Sequence, residues 1–370
     1  MKVYFTQRGY PERRNFLGNN HIHFKQSLDL FKFICHLSFK IFNIIPQWAL
    51  NLYWHPFKLK SDTLHFFNGV CLSNQKWVCT FESFVPRVGK GKNYIEKIAL
   101  NKIRKSNCLK LIAISNCTYK IQKNYLETHS PHLANTIIGK TTILHPPQPI
   151  LSPKEKKIEI GKPIIFTFIG SDFFRKGGFE CIKVFSQLYK EGFHKWQLNI
   201  ISSLKYGDYA SRTTSYHQQE ARKIIINSKN ITHSKSLSND KVIDILNDSH
   251  IGLLPSYADT YGYSVLEAQA CGCPVITTDI RALPEINNNE CGWVIKVPKD
   301  KNGNGILETH ENREKFSNIL ETELYRIIKD ILETPEIIAP KAEAALDRIK
   351  KDHDPEKHAQ RLIEIYELGR

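Results

Sequence analysis

The 370 residues, 41% hydrophobic and 24% charged, suit two domains of ordinary size with a core each and exclude a disordered chain. The net charge of +15 lies entirely in the first 150 residues, which hold 21 Lys and Arg against 6 Asp and Glu, while the rest holds 31 of each. Such asymmetry points to a polyanionic neighbour of the first part, nucleic acid or an anionic membrane; the alternative is a Lys-rich solvated surface.

Met1–Arg8 has no apolar leader core, and no stretch of about 18 uncharged apolar residues follows. Neither a secretory signal nor a membrane-spanning helix is expected, and the chain reads as cytoplasmic. Nine cysteines, odd in number and without zinc-site spacing, read as small buried hydrophobes in a reducing compartment. No metal site is expected.

In chain order, Leu30–Trp54 is aromatic and apolar with Lys32 and Lys40. It reads either as an interfacial membrane element or as a core helix broken at Pro46. Strands are predicted at residues 63–68, 77–81, 110–115 and 140–144, and a helix at 116–126. His65, on the first of these strands, is expected to be a satisfied core residue. From Arg87 to Lys110 run eight basic residues and one acid, Glu96. Residues 148–162, rich in proline and mixed charge, suit an interdomain linker. A second series follows, with strands predicted at 163–169, 196–201, 230–233, 251–254, 275–278 and 293–297. Its helices are predicted at 178–190, 218–227, 240–247, 311–332 and 355–368. The last has Asp354 as N-cap and Pro355 at its first position. Alternating strands and helices predict parallel sheets covered by helices.

Two stretches carry chemistry. In Phe166–Gly178 a strand ends at Gly170, Ser171 follows, and a short loop presents Arg175 and Lys176 before two glycines turn into a helix. Arg can fork onto phosphate oxygens and Lys supplies a mobile point charge. The loop after a strand's carboxyl end is where open α/β sheets bind ligands. The alternative is an exposed basic pair beside a turn. In Pro255–Ile276, Asp259 and Glu267 stand eight residues apart around a turn and a helix start near Gly262. The amides of Tyr261, Gly262 and Tyr263 are expected to be free at a positive helix end. Glu267 suits a ribose diol and Asp259 the hydroxyls of a sugar. The alternatives are a loop acid and a surface helix acid.

Together these stretches resemble the nucleotide-sugar domain of retaining glycosyltransferases of family 4, which have the GT-B architecture. Ala268-Gln269-Ala270-Cys271-Gly272-Cys273-Pro274-Val275-Ile276 and Asp279–Glu285 extend the likeness. The resemblance implies an α/β fold of two Rossmann-like domains facing each other across a cleft. Residues 1–150 would bind acceptor, 151–352 the donor, and 353–370 would form a helix packing back toward the first domain. It implies that Lys176 and Arg175, beside Gly170 and Ser171, neutralise a donor diphosphate. Glu267 would hold the ribose, and Asp259 with the amides of Thr260, Tyr261, Gly262, Tyr263 and Ser264 would orient the donor sugar. His233 lies where the family commonly places the base of the nucleotide. Three positions depart from the pattern. Asp259 replaces a Glu, Ser171 replaces an Arg, and Glu82 follows Trp77-Val78-Cys79-Thr80-Phe81 where the family has His. Glu82 is therefore a candidate at the acceptor face; the alternative is an acid balancing Arg87.

The implied reaction moves a hexose from a UDP- or GDP-sugar to a glycan or lipid-linked acceptor, in polysaccharide or lipopolysaccharide synthesis, with no cofactor and no metal. The basic first part and Leu30–Trp54 add an expected peripheral place on an anionic inner membrane face. Two other classes remain open: a basic, non-enzymatic nucleic-acid- or membrane-binding module, and a related-fold enzyme such as a nucleotide-sugar epimerase. No nucleic-acid recognition motif is present, and no nucleic-acid partner is expected.

Overall fold

The computed structural model describes all residues except 1, 18–21, 47, 55–62, 90–92, 152–155, 157, 160, 369 and 370. Lys90 and Lys92 of the basic run, and part of the predicted linker, lie outside the described residues.

Among the described residues the strands are β1 (Lys2–Phe5), β2 (His23–Gln26), β3 (Leu52–Tyr53), β4 (Thr63–Phe67), β5 (Val70–Cys71), β6 (Trp77–Phe81), β7 (Cys108–Ala113), β8 (Thr141–Ile143), β9 (Ile164–Ile169), β10 (Trp196–Ile201), β11 (Ile231–Ser234), β12 (Ile251–Leu254), β13 (Val275–Thr278) and β14 (Gly292–Ile295). The α-helices are α1 (Tyr10–Glu12), α2 (Leu30–Phe42), α3 (Asn93–Arg104), α4 (Asn116–His129), α5 (Pro131–Ile138), α6 (Gly178–Lys190), α7 (Ser215–Asn227), α8 (Asn239–Asp248), α9 (Tyr263–Ala270), α10 (Leu283–Ile286), α11 (His310–Glu333), α12 (Ile338–Asp352) and α13 (Pro355–Glu367). They form two units, one of residues 1–147 with 353–370 and one of residues 148–352.

The first unit holds a parallel sheet ordered β2-β1-β4-β6-β7-β8, with a small parallel pair β3-β5 beside it. Every residue of β6 is buried, as in a strand covered on both faces. Helix α13 begins at Asp354, whose carboxylate accepts from the amides of Glu356 (2.8 Å) and Lys357 (3.1 Å). Its Leu362, Ile365 and Tyr366 pack with Val3, Phe5, Phe16, Ile22, Val78 and Ile112. His65 is a core residue. Its Nδ1 is 2.5 Å from the Tyr366 hydroxyl and its Nε2 2.8 Å from the Thr80 hydroxyl. The ring stacks on Phe16, and burial drives its pKa down to about 3.

The second unit holds a parallel sheet ordered β11-β10-β9-β12-β13-β14. The chain lays β9, β10 and β11 in one direction, then returns to place β12 on the other side of β9. Between β9 and β12 the winding reverses, and loops leaving there diverge to leave a crevice. Buried β12 and β13 and the apolar stripe of α11, from Phe316 to Ile331, close the core.

The core-helix reading of Leu30–Trp54 is overturned. Helix α2 ends at Asn43, in left-handed conformation with φ 52°, and of its residues only Cys35 is buried. Its contact is with the two-stranded β3-β5 pair at the side of the main sheet, which is too narrow to cover it. Strands β1, β2, β3 and β5 and helices α1, α3, α5, α10 and α12 are additional to those predicted. The strand predicted at 110–115 is β7, two residues earlier. Ser115 instead caps α4, its hydroxyl accepting from the Thr118 amide at 3.0 Å. Eight of the nine cysteines are buried thiols and Cys117 is half-buried. No helix among the described residues is long and apolar enough to cross a membrane.

Candidate functional site

Two loops at the switch point of the second sheet are bonded to one another. The first leaves β9 at Gly170. Phe173 and Phe174 anchor it in the core, and the Lys176 amide donates to the Asp172 carbonyl at 3.0 Å. Gly177 then turns into α6 with φ 78°, where a Cβ would lie 2.1 Å from the Pro255 carbonyl oxygen. The second loop leaves β12 at Pro255. The Tyr257 amide (2.9 Å) and the Ser256 hydroxyl (3.2 Å) both donate to the Arg175 carbonyl. The Arg175 guanidinium donates to Asp172 Oδ2 at 2.7 Å and to the Ala258 carbonyl.

This zipper fixes where Lys176 goes. Its stem lies over Gly170, where a Cβ would meet Lys176 Cδ at 2.3 Å, and its Nζ stands 3.7 Å from Asp259 Oδ2. Both side chains are largely buried, at 17% and 15% exposure. Asp259 also accepts from the Tyr261 amide at 3.2 Å, through Oδ1. The sequence reading expected that amide to be free; it is bonded, because an aspartate readily bonds the backbone two residues on. Gly262, with φ 94°, turns the chain into α9. Glu267, in the second turn, is buried. Gln269 holds the helix from below, donating to the Ile286 carbonyl at 3.0 Å and to Asn287 Oδ1 at 3.2 Å. Behind the first loop, Glu180 accepts from the Tyr257 (2.7 Å) and Ser317 (3.0 Å) hydroxyls. Burial raises both the Glu180 and the Tyr257 pKa.

A cavity of about 620 Å³ opens here, lined by Asp172, Arg175, Tyr257–Thr260 and residues from three further loops. Of the predicted residues, the structure brings Arg175, Asp259 and Thr260 to its wall and joins Lys176 to them through Asp259. Gly170, Ser171, Tyr261–Ser264 and Glu267 sit on the same two loops and helix, off the lining. The Ser171 carbonyl accepts from the Ser203 hydroxyl at 2.9 Å, tying the first loop to the one after β10. His233 stands exposed on β11, its Nε2 donating to the Ser202 carbonyl at 2.8 Å, and does not line the cavity. Sequence reasoning missed Asp208, Tyr209, Arg212, Arg281 and Asn304, all on the wall. Ala210, Arg212 and Arg281 hold left-handed backbones with φ 63°, 45° and 48°, a strain that clusters at ligand sites. Arg281 donates to Asn304 Oδ1 at 3.0 Å.

Glu82 belongs to the first unit, just past β6. Its Oε1 accepts from Asn68 Nδ2 and Arg87 Nη1, each at 3.2 Å, and its amide donates to Asn68 Oδ1 at 3.2 Å. No cluster of three or more His, Cys, Asp or Glu fit for a metal occurs among the described residues.

Residues 152–322 match the family described as Glycosyl transferases group 1. The D-inositol 3-phosphate glycosyltransferase of Rhodococcus erythropolis is 32% identical over 71 residues, 19% of this chain and 16% of that protein. Its counterpart in Rhodococcus jostii is 35% identical over 57 residues, 15% of this chain and 13% of that protein. The matches thus span under a fifth of these curated relatives. A solved glycosyltransferase from Rickettsia africae superposes with TM-score 0.59 at 16% identity, covering 99% of this chain and 89% of that one. Anabaena HepE in complex with UDP gives 0.58 at 12% identity, covering 98% of each. The chain has the GT-B fold, and the family match falls within its second unit.

Proposed function

We propose that this chain is a retaining glycosyltransferase that moves a hexose from a UDP- or GDP-sugar to a glycan or lipid-linked acceptor in polysaccharide or lipopolysaccharide synthesis. Residues 151–352 bind the donor and residues 1–150 the acceptor; residues 353–370 complete the acceptor domain. The observation that carries this reading is the Lys176–Asp259 pair, 3.7 Å apart at the sheet's switch point and beside the cavity that Arg175 and Asp259 line. The group 1 match over residues 152–322 supports transfer of a sugar. HepE, of the same fold, has been solved with UDP and with UDP-glucose, which supports a nucleotide-linked donor.

At 3.7 Å the Lys176 ammonium is beyond a good hydrogen bond to Asp259, so it can turn to a phosphate oxygen. Cleaving the sugar–phosphate bond builds negative charge on the departing diphosphate. Lys176, Arg175 and the N-terminal end of α9 stabilise that charge, so no metal is assigned to the reaction. Asp259 orients the sugar through its hydroxyls, aided by the backbone from Thr260 to Ser264, and Glu267 takes the ribose diol. Gly170 and Ser171 are assigned to the phosphate loop, Gly170 making room for the Lys176 stem, and His233 is assigned to the base end of the nucleotide. The acceptor oxygen bonds the anomeric carbon on the face the phosphate leaves, and the acceptor's proton passes to the leaving phosphate oxygen. Glu82, held by Asn68 and Arg87, is assigned to acceptor hydroxyls.

The test is a thermal-shift panel of UDP- and GDP-sugars. One donor is expected to stabilise the protein, and Lys176→Ala and Glu267→Ala to abolish that shift. A panel without any response rules the reading out.

A further inference from the structure

We infer that α2, with the short segment after it, is an interfacial anchor that lays the first unit on an anionic lipid surface. The inference stands on different residues from the donor site and does not depend on it.

The segment is built to be a helix. The Asp29 carboxylate caps it, accepting from the Phe31 (3.1 Å) and Lys32 (3.5 Å) amides, and Asn43 ends it. Between them Leu30, Phe33, Ile34, Leu37 and Ile41 recur at helical spacing and make one apolar stripe. In a soluble protein such a stripe faces a core. Here it faces outward: Phe33 is 63% exposed, Leu37 46% and Ile41 60%, and at the carboxyl end of the segment Phe42 (67%), beside the stripe, and Ile44 (64%) are exposed as well. A contiguous apolar patch of this kind marks an interaction site. The opposite side is tied down, with Cys35 buried and Phe31 edge-on to Trp48 at 5.8 Å.

Charge selects the occupant. From Leu30 to Lys60 there is no acidic residue. Lys40 lies beside the stripe, where its stem can follow the apolar surface while its ammonium reaches headgroups. Asn51 Nδ2 donates to the Arg87 carbonyl at 2.9 Å, tying the segment after α2 to the start of the basic run. Helix α3, carrying Lys97, Lys102 and Arg104, packs on β5, the partner of the β3 that holds α2. A second copy of this chain would bring the same +15 charge to the contact, whereas anionic lipid neutralises it. A 13-residue helix is about 20 Å long, which suits lying in the headgroup plane rather than crossing it.

The test is co-sedimentation of the full chain with vesicles of phosphatidylglycerol and phosphatidylcholine in equal parts, against pure phosphatidylcholine, at low salt. The wild type is expected to bind the anionic vesicles at least about tenfold more tightly. The triple variant Ile34→Glu, Leu37→Glu, Ile41→Glu, with good helix formers at exposed positions, is expected to lose about 100-fold. Far-UV circular dichroism and the nucleotide-sugar shift report whether it folds and keep a failed donor reading distinct from a failed anchor. Lys40→Glu with Lys97→Glu leaves the stripe intact and is expected to remove the anionic preference. Equal binding of wild type and both variants overturns the inference. So does a dimer that the triple variant dissociates while neither protein binds vesicles.

Discussion

Gly177 shows how little freedom the donor loops have. A methyl group there would meet the Pro255 carbonyl at 2.1 Å, and the backbone is left-handed as well. Backbone, unlike a flexible side chain, cannot step aside cheaply. Gly177→Ala is therefore expected to destabilise the second unit by about 2 kcal/mol or more, read as a lower urea midpoint. An unchanged midpoint removes the claim that the two loops are in contact through this residue. The pairing of basic loop and acid was legible because both elements sit in contiguous motifs. Arg212 and Arg281 were not, because their loops reach the cavity only once β10 and β13 lie on either side of the switch point, and no local pattern marks a left-handed arginine. Arg281→Ala is expected to weaken the donor about tenfold in a calorimetric titration, the loss of one charge-assisted contact. An unaltered Kd removes Arg281 from the donor contacts.

At the scale of elements, periodic helices such as α11 could be read directly, because six buried residues repeat at three- and four-residue steps. Helix α3 was hidden by its lysines, which draw the eye to charge although they are good helix formers; its buried Ala99, Leu100 and Ile103 carry the pattern. Helix α2 was visible as an apolar segment, but which side of it would be covered depends on the width of the β3-β5 pair, a tertiary fact. Its cap carries a pH dependence. Burial raises the Asp29 carboxyl from its ordinary 3.8 to about 6, against the lowering effect of the Lys32 and Phe31 amides and the Lys32 charge. The folded protein thus holds this proton more tightly than the unfolded one. The resulting stabilisation is complete below pH 3.8 and is lost as pH rises through about 6. Asp29→Asn keeps a good cap without the charge. Urea midpoints of the two proteins are expected to diverge between pH 4 and 7, the wild type losing about 1–3 kcal/mol relative to the variant. Parallel curves would mean that Asp29 titrates normally.

At the scale of the molecule, the first unit is not a continuous piece of chain. Its sheet is made by residues 1–147, but one side of its core is completed by 353–370. The sequence could suggest a terminal helix at Asp354-Pro355, since capping is local; that its apolar face meets β1 and β7 could not be read from any window. Leu362 is buried in that face and Tyr366 bonds the one buried imidazole of β4. Leu362→Ala is expected to cost about 2–5 kcal/mol through the cavity it leaves. Tyr366→Phe is expected to cost about 1–2 kcal/mol, because His65 Nδ1 loses its 2.5 Å partner in a place where water does not replace it. Hydrogen exchange locates the effect. Amides of β1, β6 and β7, a hundred or more residues upstream of either substitution, are expected to exchange faster, while those of β9, β10 and β12 keep the wild-type rate, because the substituted side chains pack within the first unit alone. Equal acceleration in both sheets would show that the helix stabilises the chain as a single cooperative unit, and the boundary between residues 147 and 148 would then have no energetic meaning.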